Sequence, residues 1–243
     1  MKNQIINVSI ISHKQSSMIL NILKDLSKYD FISKVYITIN TDENIKEIKK
    51  IKDFPIEIII NKNPKGFGQN HNYAYTLSKC DYVIIINPDV RLKKLNFGNL
   101  FDYFKLENVE LVTPVSVDEN NNVQDNARKF PSILTPFIRK LGISRKDYID
   151  NLDEYTSVDW VSGMFMIIKS KTFEKLKGFD EKFFMYYEDV DFCKRIKNIH
   201  GKILRINNEK VFHIGQRQSH KNLKYLLIHI KSMLYYHTKH FLK

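Results

Sequence analysis

The chain has only two cysteines in 243 residues, Cys80 and Cys193, and neither has a partner at metal-ligand spacing. That argues against a disulfide scaffold and a cysteine-built zinc site, and it leads to the expectation of a reduced, cytoplasmic protein. Glycine and proline are also scarce, at 8 and 6 residues, and no long polar run occurs. Collagen-like, low-complexity and disordered classes drop out on that ground. Nowhere does an apolar run approach the ~20 residues that a membrane-spanning helix needs. The opening MKNQIINVSI enters a strand pattern without the basic region and long apolar stretch of a secretory leader. Any membrane association is therefore expected to be peripheral. Acidic residues are the last shortage, 27 against 39 Lys and Arg, for a net charge of +12. Such a balance favours a polyanionic partner: nucleic acid, anionic lipid or a phosphorylated substrate.

What is present is a globular composition, 43% hydrophobic, long enough for one large α/β domain with a short C-terminal appendage. In the first half, short β-branched runs alternate with helical patterns. Strands are expected at Val8 to Ile11, Val35 to Ile39, Ile56 to Ile60 and Tyr82 to Ile86. Helices are expected over Met18 to Leu26, Glu43 to Lys50 and Gln69 to Leu77. Near-continuous apolar strands separated by helices imply a Rossmann-like, mostly parallel sheet covered on both faces. Ligands bind beyond the carboxyl ends of such strands. The residues there are Ser12 and His13, Asn40 and Asp42, Asn61 to Gly68, and Asn87 to Asp89. The second half opens on a polar connector, about Asp118 to Asp159, with Pro131 and Pro136, which reads as a lid or acceptor-facing segment. Further strands are expected at Val161 to Ile168, Ile203 to Ile206 and Val211 to His213, with helices starting near Glu188 and Leu223.

Three segments carry chemistry. In DYVIIINPDV the proline ends the strand and holds Asp89 at the sheet edge; a turn cap and a ligand-binding carboxylate both fit that position. In NKNPKGFGQNHNYAY, Gly66 and Gly68 precede a helix carrying Asn70 and Asn72. Close backbone approach and helix N-terminal amides suit nucleotide oxygens, although the spacing matches neither the dinucleotide nor the P-loop fingerprint. In FDEKFFMYYEDVDFCKR, Asp180, Glu181, Glu188, Asp189 and Asp191 gather among aromatics. That arrangement could raise a carboxyl pKa and make a general base, and it could equally compensate a helix dipole.

The ordered set NPKGFGQN, IINPDV, WVSGMFMI, GFDEKFF, YYEDVDFCKR and VFHIG resembles family 2 glycosyltransferases of the GT-A fold, especially bacterial rhamnosyltransferase-like members, over roughly Val8 to Gly215. The resemblance implies that Asp89 is the surviving carboxylate of a metal-binding DxD motif, written here Asn87, Pro88, Asp89. It implies His213 as a second ligand of Mg2+ or Mn2+ and Asp189 as the base that deprotonates the acceptor hydroxyl, with inversion at the sugar. It places Ser12 and Asn40 near the base and ribose, Gly66 and Asn70 near the nucleotide, Gly163 near the donor sugar, and Trp160 and Glu188 on the acceptor side. Asn40 stands where the family commonly has an aspartate that reads the nucleobase. For Trp160 and Gly163, core packing is an equal reading.

The implied organisation is a GT-A domain over 1–220, with a nucleotide-binding half at about 1–115 and an acceptor-facing half at about 116–220. A basic amphipathic helix over 221–243 follows; it either lies on an anionic membrane surface or packs on its own domain. The implied partners are a nucleoside-diphosphate sugar, dTDP-rhamnose by likeness to the subfamily, and a cell-surface glycan or its lipid-linked precursor on the inner face of the plasma membrane. No nucleic acid is expected. Two rival readings stand beside this one: a nucleic-acid-binding protein, and a non-catalytic sugar-nucleotide-binding subunit of a synthase complex.

Overall fold

The computed structural model describes residues 4–52, 55–132, 153–214 and 223–241. Pro136, much of the polar connector and Gly215 lie outside them. Among the described residues the chain builds one nine-stranded sheet in the order β3-β2-β1-β4-β10-β6-β11-β5, with β8 on β11. Six strands run one way: β1 (Ile6–Ser12), β2 (Lys34–Ile39), β3 (Ile56–Ile60), β4 (Tyr82–Ile86), β6 (Val109–Val117) and β11 (Lys202–His213). The central β10 (Phe165–Lys169) runs against them, as do the short β5 (Val90–Arg91) and β8 (Tyr155–Ser157). A two-stranded ribbon joins β7 (Ala127–Arg128) to β9 (Trp160–Val161).

Alternation along each strand explains why the strands read as unbroken apolar runs. Ile6, Val8, Ile10, Ile84 and Ile86 face α1 (Ser16–Leu26), α2 (Lys46–Lys50) and α4 (Phe97–Asp102). Val83 and Ile85 face the other way, toward α3 (Phe67–Thr76), α5 (Ser170–Lys175) and α6 (Glu188–Asn198). Both faces are covered, so both sets must be apolar.

Three expectations change. Val161 to Ile168 is not one strand: β9 and β10 belong to different sheets, separated by a turn at Ser162–Met164. Its Gly163 N–H donates to a carboxylate instead of a ladder. Ile203 to Ile206 and Val211 to His213 are one strand, with a register shift between Ile206 and Lys210 opposite Pro114 and Val115 of β6. Proline has no N–H for a ladder, and the bulge accommodates it. Finally, β6 went unread because Thr113, Pro114 and Ser116 interrupt its apolar pattern, yet all three are buried in the middle of the sheet.

The last helix, α7 (Leu223–Phe241), packs one face on the segment before α6. Tyr236 joins Phe183, Tyr187 and Val190, and Ser232 Oγ donates to Met185 O at 2.8 Å.

Candidate active site

The carboxyl ends of β1, β2 and β4 border a cavity of about 760 Å³. Asn40, Asn70, Asn87, Gly163, Glu188, Asp189 and His213 line it, so most of the candidate residues converge on one place.

Asp89 does not itself line the cavity but pairs with His213, which does. The turn after β4 closes with Val90 N donating to Asn87 O, and β5 pairs at once with the end of β11, placing His213 opposite Val90. Asp89 Oδ2 then lies 3.3 Å from His213 Nε2. On the far side of the ring, His213 Nδ1 lies 2.7 Å from Gln124 Oε1, while Gln124 Nε2 donates to His213 O. A carbonyl oxygen can only accept, so Nδ1 carries a proton, and Nε2 is the ring nitrogen turned toward Asp89. Asp89 Oδ1 is buried and has no hydrogen-bond partner, and the 3.3 Å separation is close to the edge, about 3 Å, of an octahedron with Mg2+–O bonds of about 2.1 Å. The donor set fits a hard divalent ion with an outer-shell amide that fixes the histidine tautomer. No group of three or more His, Cys, Asp or Glu side chains converges among the described residues. The remaining coordination positions would therefore belong to ligand oxygens.

Glu188 and Asp189 are the second pair. Asp189 Oδ2 accepts from Gly163 N at 3.0 Å and Oδ1 from Val190 N at 2.8 Å, which fixes the carboxylate at the cavity wall. Burial raises its pKa above the ordinary carboxylate value, against the pull of those two N–H groups. Glu188 is 5% exposed and its Oε2 has no partner. Burial, and then the neighbouring Asp189 carboxylate, push its pKa well up. Both carboxyls are pushed up, Glu188 more strongly, so Asp189 is the first of the pair to ionise. Just before them Tyr186 and Tyr187 adopt φ of 69° and 68°, a left-handed conformation costly for large side chains and concentrated at functional sites.

The rest of the acidic cluster is structural. Asp191 pairs with Arg195, Lys239 and His240, Asp180 with Lys239 and Tyr235, and Glu181 with Asn72.

Several candidates are held in place by contacts within the fold, and Ser12, Gly66 and Trp160 stand off the cavity lining. Asn40 Oδ1 accepts from Asn61 Nδ2, Lys65 N and Asn70 Nδ2, so this amide ties the loop after β3 to α3. Asn70 closes the same knot by accepting from Asn61. Ser12 is fully buried, with its Oγ accepting from Gln15 N, and does not reach the cavity. A Cβ on Gly66 would sit 2.8 Å from Phe184 O, and Phe67 N donates to that same carbonyl. The glycine therefore serves the approach of the 183–184 backbone. Gly163 likewise abuts the Phe67 ring, where a Cβ would fall 2.9 Å away, while its N–H holds Asp189. Trp160 is pinned by Nε1 donating to Lys129 O and lies off the cavity. Sequence reasoning missed Gln124, an isolated amide in the polar connector, and the wall that Lys224, Tyr225 and Ile228 of α7 add.

The family model for glycosyl transferase family 2 matches residues 37–188, more than half of the chain. The chain belongs to glycosyl transferase family 2. It is 29% identical over 228 residues to the rhamnosyltransferase WbbL of Escherichia coli K12, covering 88% of this chain and 84% of that one. It is 27% identical over 143 residues to the N-acetylglucosaminyl-diphospho-decaprenol L-rhamnosyltransferase of Mycobacterium tuberculosis, spanning 47% of that protein's length. The fold matches GalNAc-T7, solved with UDP, GalNAc and Mn2+, at a TM-score of 0.74 and 14% identity over 98% of this chain and 48% of that one. It also matches the mannosyltransferase PcManGT of Pyrobaculum calidifontis, solved with GDP-Man and Mn2+, at 0.68 and 12% identity over 99% and 65%. The α/β architecture is thus that of GT-A glycosyltransferases, and the protein is a rhamnosyltransferase-like family 2 glycosyltransferase. Neither rival class is favoured by these matches.

Proposed function

We propose that this glycosyltransferase moves a sugar, L-rhamnose from dTDP-rhamnose, to a hydroxyl of a cell-surface glycan or its lipid-linked precursor, with inversion. The rhamnosyltransferase relatives, one of them named for a diphospho-decaprenol acceptor, support the donor and acceptor classes. The observation that carries the reaction is a half-buried, N–H-fixed Asp189 on the same cavity wall as His213, the partner of Asp89. Asp189 accepts the proton of the acceptor hydroxyl as that oxygen bonds the anomeric carbon, and the bond from that carbon to the diphosphate oxygen breaks. Asp89 and His213 would hold Mg2+ or Mn2+, which when bound supplies charge neutralisation for the departing nucleoside diphosphate. Glu188, holding its proton, offers a hydrogen-bond donor to the acceptor. Asn87 stands at the cavity wall in the place of the motif's first carboxylate. The division into halves at about residue 115, with α7 apart from 1–220, is part of this proposal, as is a place of action on the cytoplasmic membrane face.

The test pairs a nucleotide panel with one substitution. Among dTDP, UDP, GDP and CMP with Mn2+ or Mg2+, dTDP should raise the thermal midpoint most, with a gain of about 2.7 kcal/mol at a hundredfold excess over Kd. Asp189→Asn should keep that shift and lose about 10²- to 10⁴-fold in transfer. Near-normal transfer by the variant would remove Asp189 as the base.

A further inference from the structure

Helix α7 presents to solvent a surface that the site does not use. Leu223, Leu226, Leu227, Ile230, Leu234 and Phe241 are 72%, 50%, 60%, 40%, 57% and 53% exposed. At 3.6 residues per turn these six fall within a stripe about 100° wide. Lys231 stands along one edge of it, next to Lys224 of the cavity wall, and the whole helix contains no Asp or Glu. The opposite face is occupied: Ser232 and Tyr236 are buried against the segment before α6, and Tyr225 and Ile228 line the cavity. Solvent-facing aliphatic side chains on such a scale mark an interaction surface.

We infer that this stripe is a docking face for an anionic lipid bilayer, on which α7 lies in the interfacial plane. Charge decides among the occupants. A chain of net charge +12 with lysines beside the stripe is attracted to anionic headgroups, whereas a second copy would oppose +12 with +12 and lysine with lysine. Crossing the membrane is a different matter, since among the described residues no helix is long and apolar enough to do so. The helix that meets lipid with one face walls the cavity with the other, so an acceptor carried on a lipid would be delivered beside Asp189. That last link rests on the glycosyltransferase proposal; the docking face does not.

The measurement is sedimentation of the full chain with vesicles, without donor or acceptor. Vesicles of phosphatidylcholine with about 30% phosphatidylglycerol should bind it about tenfold better than pure phosphatidylcholine, with binding weakened by salt. The double variant Leu227→Glu/Leu234→Glu should lower anionic-vesicle binding by about tenfold or more. Its thermal midpoint and its transfer to a water-soluble acceptor should match the parent's. The inference is overturned if the parent does not sediment, if neutral and anionic vesicles bind it alike, if the variant binds like the parent, or if light scattering shows a dimer that the variant dissolves. Asp189→Asn should bind vesicles normally, so failure of the catalytic assignment and failure of the docking face are read separately.

Discussion

At the scale of single residues, adjacent carboxyls in different environments titrate differently. Glu188 is buried with an unpartnered oxygen, and Asp189 beside it is held by two backbone N–H groups. Glu188 therefore keeps its proton to a higher pH in the fold than in the unfolded chain, where it titrates near 4.5. Below that value the carboxyl is neutral in both states and the fold is not penalised. As pH rises toward the folded-state pKa, the unfolded chain releases a proton that the folded chain retains, and stability is lost across that window. Glu188→Gln removes this loss. The variant should melt with the parent at pH 4 and above it at pH 7.5, by an amount on the order of 1 kcal/mol. Equal differences at the two pH values in calorimetry would mean that Glu188 is ionised in the fold. With Asp189 as the proposed base, its raised pKa should place the acid limb of the pH profile of transfer above the ordinary carboxylate range, since the protonated acid cannot accept the hydroxyl proton.

At the scale of elements, the site is assembled where regular structure breaks. The turn at Ser162–Met164 separates two strands that read as one, and Gly163 in it holds Asp189 while the Phe67 ring leaves no room for a Cβ. Gly163→Ala should cost about 1–3 kcal/mol through that overlap and depress transfer together with stability. An unchanged denaturation midpoint would show that the turn has slack. The first four parallel strands were legible because each is an apolar run in a two-faced core, and the residues after them fell at the sheet edge as the topology requires. The β6 strand and the bulge in β11 were not, because buried Thr113, Pro114 and Ser116 get their partners from elsewhere in the fold: Thr113 donates to Phe165 O, and Asn126 donates to Pro114 O. Asp89, Asp189 and His213 were legible as an ordered set of motifs. Gln124 was not, since nothing in a lone glutamine signals that another strand will set a histidine beside it.

At the scale of the molecule, the C-terminal helix completes the site from outside the parallel sheet. Tyr236 is wholly buried among Phe183, Tyr187 and Val190, directly beneath the left-handed Tyr186–Tyr187 pair that leads into Glu188 and Asp189. A strained conformation persists only where its surroundings over-determine it, and here those surroundings come from residues nearly fifty positions later in the chain. Its hydroxyl has no partner among the described residues, so the ring and not the OH does the holding. Tyr236→Ala should then cost about 3–5 kcal/mol and lower kcat as the tyrosine pair relaxes, while the thermal shift given by nucleotide is retained because Asp89, His213 and the Asn40 knot are untouched. Tyr236→Phe should match or exceed the parent in stability and keep its kcat, since it deletes only an unsatisfied buried oxygen. If the alanine variant loses stability but keeps the parent's kcat below its melting range, the helix is a cover for the core and has no hold on the carboxylate it reaches.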